Sequence, residues 1–343
     1  MNKYLINGVT IVLVMILIIL SALVGINLTK LNREVVEGSV FSKKEPPTYR
    51  FMVIIDGSDA NFVDEFEKGI HEAALNNNVA YEMWHFDGED KSEKILRQFD
   101  IAIESNVDGI ILQAFDDEGF DTTLKKANAR NIPVITIGTD IPAQEKVSFI
   151  SYNQYRMGTQ IGKLLKEYLD QKGVYTGTIV LFQNERIENS DKALAINEVL
   201  DHQFNIQRVR NELSGDNALN AVGTAQNILR QFNDIVSIIC SNGEETLGTI
   251  QALKDQNMIN DVVVIGNDDY EEILDYVERE IIFATVVVEN EKIGFEAIEE
   301  MVKHKNKEFV SQYRDINENI LTRQEVLRIR QNTEETMGES NED

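Results

Sequence analysis

The sequence predicts an α/β protein made of two doubly wound parallel-sheet lobes, preceded by one transmembrane helix. Three observations predict this fold class. A 21-residue stretch at 8–28 contains only three polar residues, all uncharged. From residue 50 onward, short β-rich apolar runs alternate with amphipathic segments of helical period, a pattern typical of βαβ units and a parallel sheet. The alternation restarts after about residue 147, and 343 residues is enough for two domains.

The N-terminal segment has the length and composition of a membrane span. As a helix, the stretch 8–28 would be about 30 Å long, the thickness of a bilayer core. A cleaved signal peptide is the alternative, but its apolar region is usually about 7–15 residues long. We therefore expect a transmembrane anchor over 1–30 and a polar juxtamembrane spacer over 31–49.

The charges that flank this segment favour a cytoplasmic body. Only Lys3 and the amino terminus precede the span, whereas four basic residues follow it at positions 30, 33, 43 and 44. The positive-inside rule places the side richer in Lys and Arg in the cytoplasm. A family resemblance described below favours the opposite orientation.

The first lobe is predicted from four apolar runs with helices between them. Strands are expected over 51–56, 79–86, 108–114 and 132–138, and helices over 61–76, 91–105 and 117–130. The second lobe repeats this order. Its strands are expected over 148–153, 177–183, 204–213, 237–242, 262–268 and 281–289, and its helices over 157–173, 190–203, 216–232, 243–257, 269–280 and 291–304. A short last strand is expected to end near Val326, followed by a solvated acidic tail over 331–343.

Composition excludes several classes of function. The net charge is −25, which is the wrong sign for a nucleic-acid-binding surface. Cys240 is the single cysteine and cannot form an internal disulfide, and the four histidines are scattered. No catalytic triad, phosphate-binding loop, dinucleotide fingerprint or metal-ligand motif is present in the sequence. An enzyme is therefore the weaker hypothesis, and no cofactor or metal is expected.

Two pairs of carboxylates follow predicted strands and have two open interpretations. Asp116–Asp117 follow the third strand, and Asp268–Asp269 follow the run VVVIGN. Residues at this position cap the next helix or contact a ligand beyond the strand ends. We expect any ligand site to lie in the cleft between the lobes.

Six segments of the body, in order and at matching spacing, resemble the type I periplasmic binding-protein family of ribose- and galactose-type sugar binders. They are DANFVDEFEKGIHEAA, DGIILQA, NIPVITIGTDIP, SNGEETLGTIQAL, VVVIGNDD and FATVVVENEKIG. The resemblance covers about 50–326. It implies two lobes that close around a ligand by a hinge motion. Cytoplasmic relatives are repressors with a helix-turn-helix, but the predicted span and the acidic charge exclude that role here.

The resemblance also implies how the chain is divided. Three crossovers would join the lobes, near 148–153, 282–288 and 309–317. The N-terminal lobe would comprise 50–150 plus 286–310, and the C-terminal lobe 151–285 plus 311–328. Because membrane-linked relatives work outside the cell, the body is expected to be extracytoplasmic.

Six ligand-binding residues are implied by the resemblance. They are Phe62, Asp140, Asn153, Lys192, Asn242 and Asp268. Phe62 would stack on a sugar ring, although a core position is an equally good interpretation, and Asp268 would accept hydrogen bonds from ligand hydroxyls. Lys192 stands where the family has an arginine. Asp140 would substitute for the aspartate that the family carries in the same loop, directly after NIPVIT. Other positions depart from the family pattern: Gly138, Gly215, Gly243 and Val288. These departures favour a modified ligand, or none, over a standard ribose or galactose.

The predicted function is that of a membrane-anchored extracytoplasmic binding protein. Its ligand would be a small polar molecule, in the first place a sugar, and lobe closure would signal to a membrane partner such as a two-component histidine kinase. The alternative is the solute-binding subunit of an ABC sugar importer, whose partner would be the permease. No nucleic-acid partner is expected.

Overall fold

The computed structural model describes residues 46–88, 90–115, 118–138, 140, 145–183, 191–210 and 218–339. The predicted anchor at 1–30 and most of the predicted spacer at 31–49 lie outside these residues. Within the described residues, no helix is both long enough and apolar enough to cross a membrane.

The first lobe is a six-stranded parallel sheet with helices on both faces. Its strands are β1 (Tyr49–Asp56), β2 (Val79–Phe86), β3 (Gly109–Gln113), β4 (Val134–Ile137), β5 (Ser148–Tyr152) and β11 (Tyr313–Ile316). Its helices are α1 (Ala60–Asn76), α2 (Lys91–Glu104), α3 (Glu118–Ala129) and α9 (Asn290–Lys305). The strand order is β11-β5-β4-β3-β1-β2, and every pair is parallel.

Alternate residues of β1 show why the helices cover both faces. Phe51, Val53 and Ile55 pack with α1 and α9, whereas Met52 and Ile54 pack with α2 and α3. All five side chains are buried. A continuous apolar run of this kind is typical of a strand in a doubly wound parallel sheet.

Two glycines bring α9 close to α1. A β-carbon on Gly69 would lie 1.8 Å from the carbonyl oxygen of Glu291, and one on Gly294 would lie 2.2 Å from that of Phe66. No side chain fits at these distances, so glycine at both positions permits the close approach of the two helices. The contact holds the start of α9 against the first lobe.

The second lobe has the same architecture. Its strands are β6 (Thr178–Gln183), β7 (Asn205–Arg210), β8 (Ile235–Ile239), β9 (Val263–Asn267), β10 (Ala284–Val288) and β12 (Glu318–Thr322). Its helices are α4 (Gln154–Lys172), α5 (Asp191–Val199), α6 (Ala218–Gln231), α7 (Gly243–Asp255), α8 (Glu271–Glu278) and α10 (Arg323–Glu339). The order is β12-β10-β9-β8-β6-β7, and only the edge strand β12 is antiparallel, to β10. The prediction of two α/β lobes with mainly parallel sheets is confirmed.

The lobe boundaries differ from those expected. The whole of β10 pairs with β9 and β12, so 286–288 belongs to the second sheet and not to the N-terminal lobe. Conversely, β11 pairs with β5, so 313–316 belongs to the first sheet. The chain therefore crosses at Asn153, Glu289 and Asn317, directly after β5, β10 and β11. Apolar periodicity locates a strand but does not identify the sheet that it joins.

The C-terminal end was predicted wrongly. The expected strand up to Val326 ends at Thr322, and α10 then continues to Glu339, within the expected tail. Glu325 accepts hydrogen bonds from the backbone N–H of Thr322, at 3.1 Å, and from its hydroxyl. These bonds correspond to the glutamate half of a capping box, in which a side chain three residues into the helix accepts a hydrogen bond from the N–H of the preceding cap residue. Val326 packs in the core of the second lobe.

Candidate ligand-binding cleft

Loops from both lobes meet at the carboxyl ends of the strands. β1 leads through a short loop into α1, β8 into α7, and β9 into α8. In open parallel sheets, ligands bind beyond these strand ends. The charge of Asp59, before α1, raises the pKa of Asp268, after β9, so the two edges lie within electrostatic reach of each other. This cleft is the candidate site.

On the first lobe, Asp59 and Phe62 form the start of α1. The Asp59 carboxylate accepts a hydrogen bond of 3.0 Å from the backbone N–H of Phe62 and so caps the helix. The Phe62 ring stacks on Phe66 with centroids 5.4 Å apart, packs against the core and remains half-buried. Nearby, Asp56 is paired with Lys91 at 2.8 Å. Phe62 therefore contributes to the core and still exposes surface for a ligand.

On the second lobe, Asn242 and Asp268 lie together at the start of α7. Asn242 Oδ1 accepts a hydrogen bond of 2.8 Å from the Glu245 N–H, which makes Asn242 the N-cap. Within the described residues its side-chain amide nitrogen has no hydrogen-bond partner, so it is available as a donor. Asp268 Oδ2 accepts a hydrogen bond of 2.7 Å from the Gly243 N–H. Asp268 has φ +73°, and the Thr285 hydroxyl donates to its carbonyl oxygen at 2.6 Å.

Gly243 is the position at which this chain departs from the Asn-Asp pair of the resemblance. A β-carbon there would lie 2.5 Å from Cε2 of Tyr270 and 2.9 Å from Oδ2 of Asp268. The Tyr270 ring fills the space that an aspartate at 243 would need. A side chain at 243 and the Tyr270 ring in its present position therefore exclude each other.

Asp268 is a buried carboxylate among other carboxylates. Its exposed fraction is 9%. Burial is the main cause that raises its pKa to about 7, followed by the charge of Asp59, with smaller contributions from Asp269 and Glu65. The Gly243 N–H opposes the shift. The charged side chains that act most strongly on the Asp268 carboxylate are therefore all negative.

A groove extends from the cleft along the second crossover. This hinge groove, of about 440 Å³, is lined by Glu65 and Glu72 of α1, Asp269, and residues 287–292 and 295. Burial raises the pKa of Glu65, and a hydrogen bond of 3.0 Å from the side-chain amide of Asn290 opposes that rise. Val288 lines the groove at a position where the family resemblance implies a glutamine. Asp269 and Val288 place the groove next to the cleft, although the six predicted ligand-binding residues are not part of its lining.

Lys192 is a buried residue of the second lobe. It is on the first turn of α5 and is 8% exposed, and its positive charge acts on the Cys240 thiol. Burial and the charge of Glu245 raise the pKa of Cys240 to about 12, and Lys192 opposes this rise. Cys240 is thus a buried, protonated thiol, as expected of an inert core cysteine.

Asn153 lies at the first crossover. Its Oδ1 accepts a hydrogen bond of 2.8 Å from the Arg156 N–H and caps α4. The Arg156 guanidinium donates to Asp315 of β11 and to Glu318 of β12, with one Nε–Oε1 distance of 2.7 Å. These contacts tie the first crossover to the third. Asn153 is therefore a hinge residue in this structure, and a contact with ligand stays a prediction.

The remaining predicted positions are less closely associated with the cleft. Asp140 is exposed and forms an ion pair with Lys146. Gly138 has φ +71°, and its carbonyl oxygen accepts a hydrogen bond of 3.2 Å from the Ser151 hydroxyl. The predicted positions Asp116, Asp117 and Gly215 lie outside the described residues.

Three cleft residues were missed from the sequence: Asp59, Glu65 and Tyr270. Asp59 opens the first helix and carried a helix-cap signal, because an aspartate precedes an apolar helical run. Glu65 and Tyr270 carried no local signal, since their place in the site depends on how the lobes are arranged. Within the described residues, no group of three or more His, Cys, Asp or Glu side chains is placed to hold a metal ion. The carboxylates are thus spread along the cleft and do not converge on one point.

Comparison with known proteins identifies the family. The family described as "Periplasmic binding protein domain" matches residues 51–308, most of the chain. The chain belongs to the type I periplasmic binding-protein family. The two lobes, three crossovers and cleft described above are the architecture of this binding protein.

Similar proteins are named as solute-binding proteins. The binding protein is 23% identical to the "ABC transporter periplasmic-binding protein YphF" of Escherichia coli over 70% of its own length and 76% of that protein. It is 26% identical to the "D-apiose import binding protein" of Paraburkholderia graminis, over 63% and 69% of the two chains. Among solved structures, a chain of the "XylFII-LytSN complex" has TM-score 0.69 at 19% identity, covering 81% of this chain and all of that one. The structural likeness shows the fold.

Proposed function

We propose that this protein is an extracytoplasmic binding protein whose two lobes close around a small polar ligand, a sugar or related polyol. The observation that carries the proposal is the pair of facing cleft edges. One edge presents Asp268, which is buried and accepts a hydrogen bond from one N–H, beside the available side-chain amide nitrogen of Asn242. The other presents Asp59 and the half-exposed ring of Phe62. Polar acceptors and donors beside an aromatic ring suit a polyhydroxylated ligand.

The names of the relatives support this ligand class. One is named for D-apiose import, and others are named for ribose and for D-allose. All are binding proteins and none is named as an enzyme, which supports binding without turnover. At this level of identity the individual sugar does not transfer, because several positions of the site differ.

A role in signalling is supported by two observations. The predicted anchor at 1–30 would keep the body at one membrane and raise its effective concentration for a membrane partner. The likeness to a chain of the XylFII–LytSN complex supports the idea that a chain of this fold forms a complex with another protein. The partner proposed is the extracytoplasmic domain of a two-component histidine kinase, which would bind the closed form.

A role in import is the second candidate. YphF and the D-apiose protein, both named for transport or import, favour it. Here the closed form would deliver its ligand to an ABC permease. The two roles share the same cleft and differ only in the partner that binds the closed lobes.

A thermal-shift screen tests the ligand proposal. The purified full chain in mild detergent is heated with monosaccharides, cyclitols and other polyols, one at a time. A ligand at 100 times its dissociation constant stabilises the folded state by about 2.7 kcal/mol, which raises the melting temperature by several degrees. A selective increase supports the proposal, and no increase with any polyol contradicts it.

A pull-down then separates the two roles. The full chain is incubated with the candidate kinase domain or with the candidate permease, each with and without the ligand found in the screen. Ligand-dependent capture of the kinase domain supports signalling, and capture of the permease supports import. Capture of neither contradicts both roles while leaving ligand binding intact.

A further inference from the structure

The hinge groove carries a strong excess of negative charge. Five carboxylate side chains line it, at positions 65, 72, 269, 289 and 291, against one ammonium, that of Lys292. That ammonium lies 3.2 Å from the Glu289 carboxylate, so it is already paired. Among the lining residues, four carboxylates are left in excess around a space of about 440 Å³, which is within the size range of small-molecule sites. Outside the lining, the charge of Lys68 also acts on Glu65.

The buried carboxylate beside the groove is a second, independent observation. Asp268 is 9% exposed, and within the described residues the Gly243 N–H is its single hydrogen-bond donor. Its other oxygen retains acceptor capacity. The negatively charged groups Asp59, Glu65 and Asp269 are close enough to act on it. A nearby positive charge would stabilise a carboxylate in this position, because the charges that act on it most strongly are all negative.

The residues that line the groove indicate which kind of cation it would bind. In the part of the chain that the structure describes, no three His, Cys, Asp or Glu side chains are placed to hold a metal ion, so a single metal would leave most of the charge uncompensated. Val287, Val288 and Phe295 provide apolar surface between the charged groups. An organic cation with a carbon skeleton and several hydroxyls matches both the apolar surface and the spread of acceptors.

We propose that the ligand of this cleft carries a positive charge, as an amino sugar or another polyhydroxylated amine does. The inference rests on the proposed function and specifies its ligand class. An ammonium donates charge-assisted hydrogen bonds to carboxylates, which are about twice as strong as neutral ones. A neutral sugar would instead leave the carboxylates of the two lobes facing one another in a closed cleft, with their repulsion unrelieved.

Matched pairs of probes test the proposal. Isothermal titration of the full chain in mild detergent, at low ionic strength and pH 7.5, uses D-glucosamine and D-galactosamine. The neutral counterparts are D-glucose, D-galactose and N-acetyl-D-glucosamine. At least one amino sugar is expected to bind about tenfold or more tightly than its neutral counterparts, equivalent to about 1.4 kcal/mol. Added salt should reduce this preference.

Two variants test whether the preference for the amino sugar depends on the charge of the groove. Glu65→Gln keeps a hydrogen-bond acceptor for Asn290 but removes one negative charge from the groove. It should therefore reduce the ratio of amino-sugar affinity to neutral-sugar affinity several-fold. Glu104→Gln, at the end of α2, removes a charge from an exposed ion pair with Arg130 and should leave the preference for the amine unchanged. An equal effect of both variants would show a non-specific effect of net charge and would overturn the proposal.

The outcomes also separate this inference from the proposed function. Equal or tighter binding of a neutral sugar would overturn the cationic ligand while supporting sugar binding. Failure of every probe to bind at millimolar concentration would overturn the cationic ligand, and the wider thermal-shift screen would then decide the proposed function on its own.

Discussion

At the scale of single residues, the character of the cleft depends on Asp268. Its positive φ and its hydrogen bond to the Gly243 N–H fix the carboxylate at the start of α7. Folding removes it from water and brings Asp59 near it, and both effects favour the protonated form. The protein thus keeps an unfavourable carboxylate where a ligand would bind. Such a group is more readily explained by binding than by stability.

The free energy of unfolding should therefore depend on pH through Asp268. Because folding raises its pKa from an ordinary aspartate value to about 7, the folded state binds more protons than the unfolded state between about pH 4 and pH 7. Stability should fall as pH rises through this window. Asp268→Asn, which mimics the neutral acid, should flatten the dependence in denaturant titrations. An unchanged slope in the variant would contradict this assignment.

Binding should also depend on the two polar residues of this edge. Asp268→Ala and Asn242→Ala should each weaken ligand binding by about 1–3 kcal/mol, since each leaves a buried hydrogen-bonding group of the ligand without a partner. Titration calorimetry with the ligand found in the screen measures the change, and Asp201→Ala, at an exposed turn, is the control. Unchanged affinity in both cleft variants would remove these residues from the site.

The contact between Gly243 and Tyr270 predicts a steric effect. Gly243→Ala places a methyl group 2.5 Å from the Tyr270 ring and should destabilise the fold by about 1–3 kcal/mol. Gly223→Ala is the matched control, because nothing lies within 4 Å of its β-carbon position in α6. It should stabilise the fold by about 0.5–1 kcal/mol. Equal effects of the two substitutions in thermal unfolding would contradict the packing described.

At the scale of secondary-structure elements, the crossovers decide how the lobes can move. Arg156, at the start of α4, contacts β11 of the first sheet and β12 of the second. The Glu318 side chain is fully buried and has this guanidinium as its ionic partner. Hinges of this kind allow closure through a few residues at the ends of elements.

Loss of this hinge contact should be costly. Arg156→Gln leaves the buried Glu318 without its ionic partner and should lower the free energy of unfolding by about 1–3 kcal/mol. Arg130→Gln, which breaks an exposed pair with Glu104, should cost under about 1 kcal/mol. Chemical denaturation measures both. A hinge variant as stable as the surface variant would show that the Arg156 contacts contribute little.

At the scale of the whole molecule, the fold could be predicted and the site only in part. The alternation of strands and helices reflects burial on both faces of each sheet, and this pattern is a local property of the sequence. Most elements therefore occur within about four residues of the expected ends. Strand β11 was missed because its residues are largely exposed, with only Ile316 buried. Membership of a sheet, and with it the lobe boundary at β10, depends on pairing between residues distant in sequence.

The site shows the same limit. Asn242 and Asp268 could be expected from the family resemblance, and Asp268 also because it follows a strand whose end faces the cleft. Asp59, Glu65 and Tyr270 become site residues only when α1 and α8 are brought together, and no local pattern reports that. The acidic character of the cleft, from which the ligand class is inferred, is therefore a property of the assembled lobes.

A structure of the full chain determined with the ligand from the screen would show whether a small polar ligand binds between the lobes. Ligand density is expected in contact with Asp268 and Asn242 on one lobe and with Phe62 on the other. Density elsewhere on the molecule, or an empty cleft at a saturating ligand concentration, would contradict this expectation.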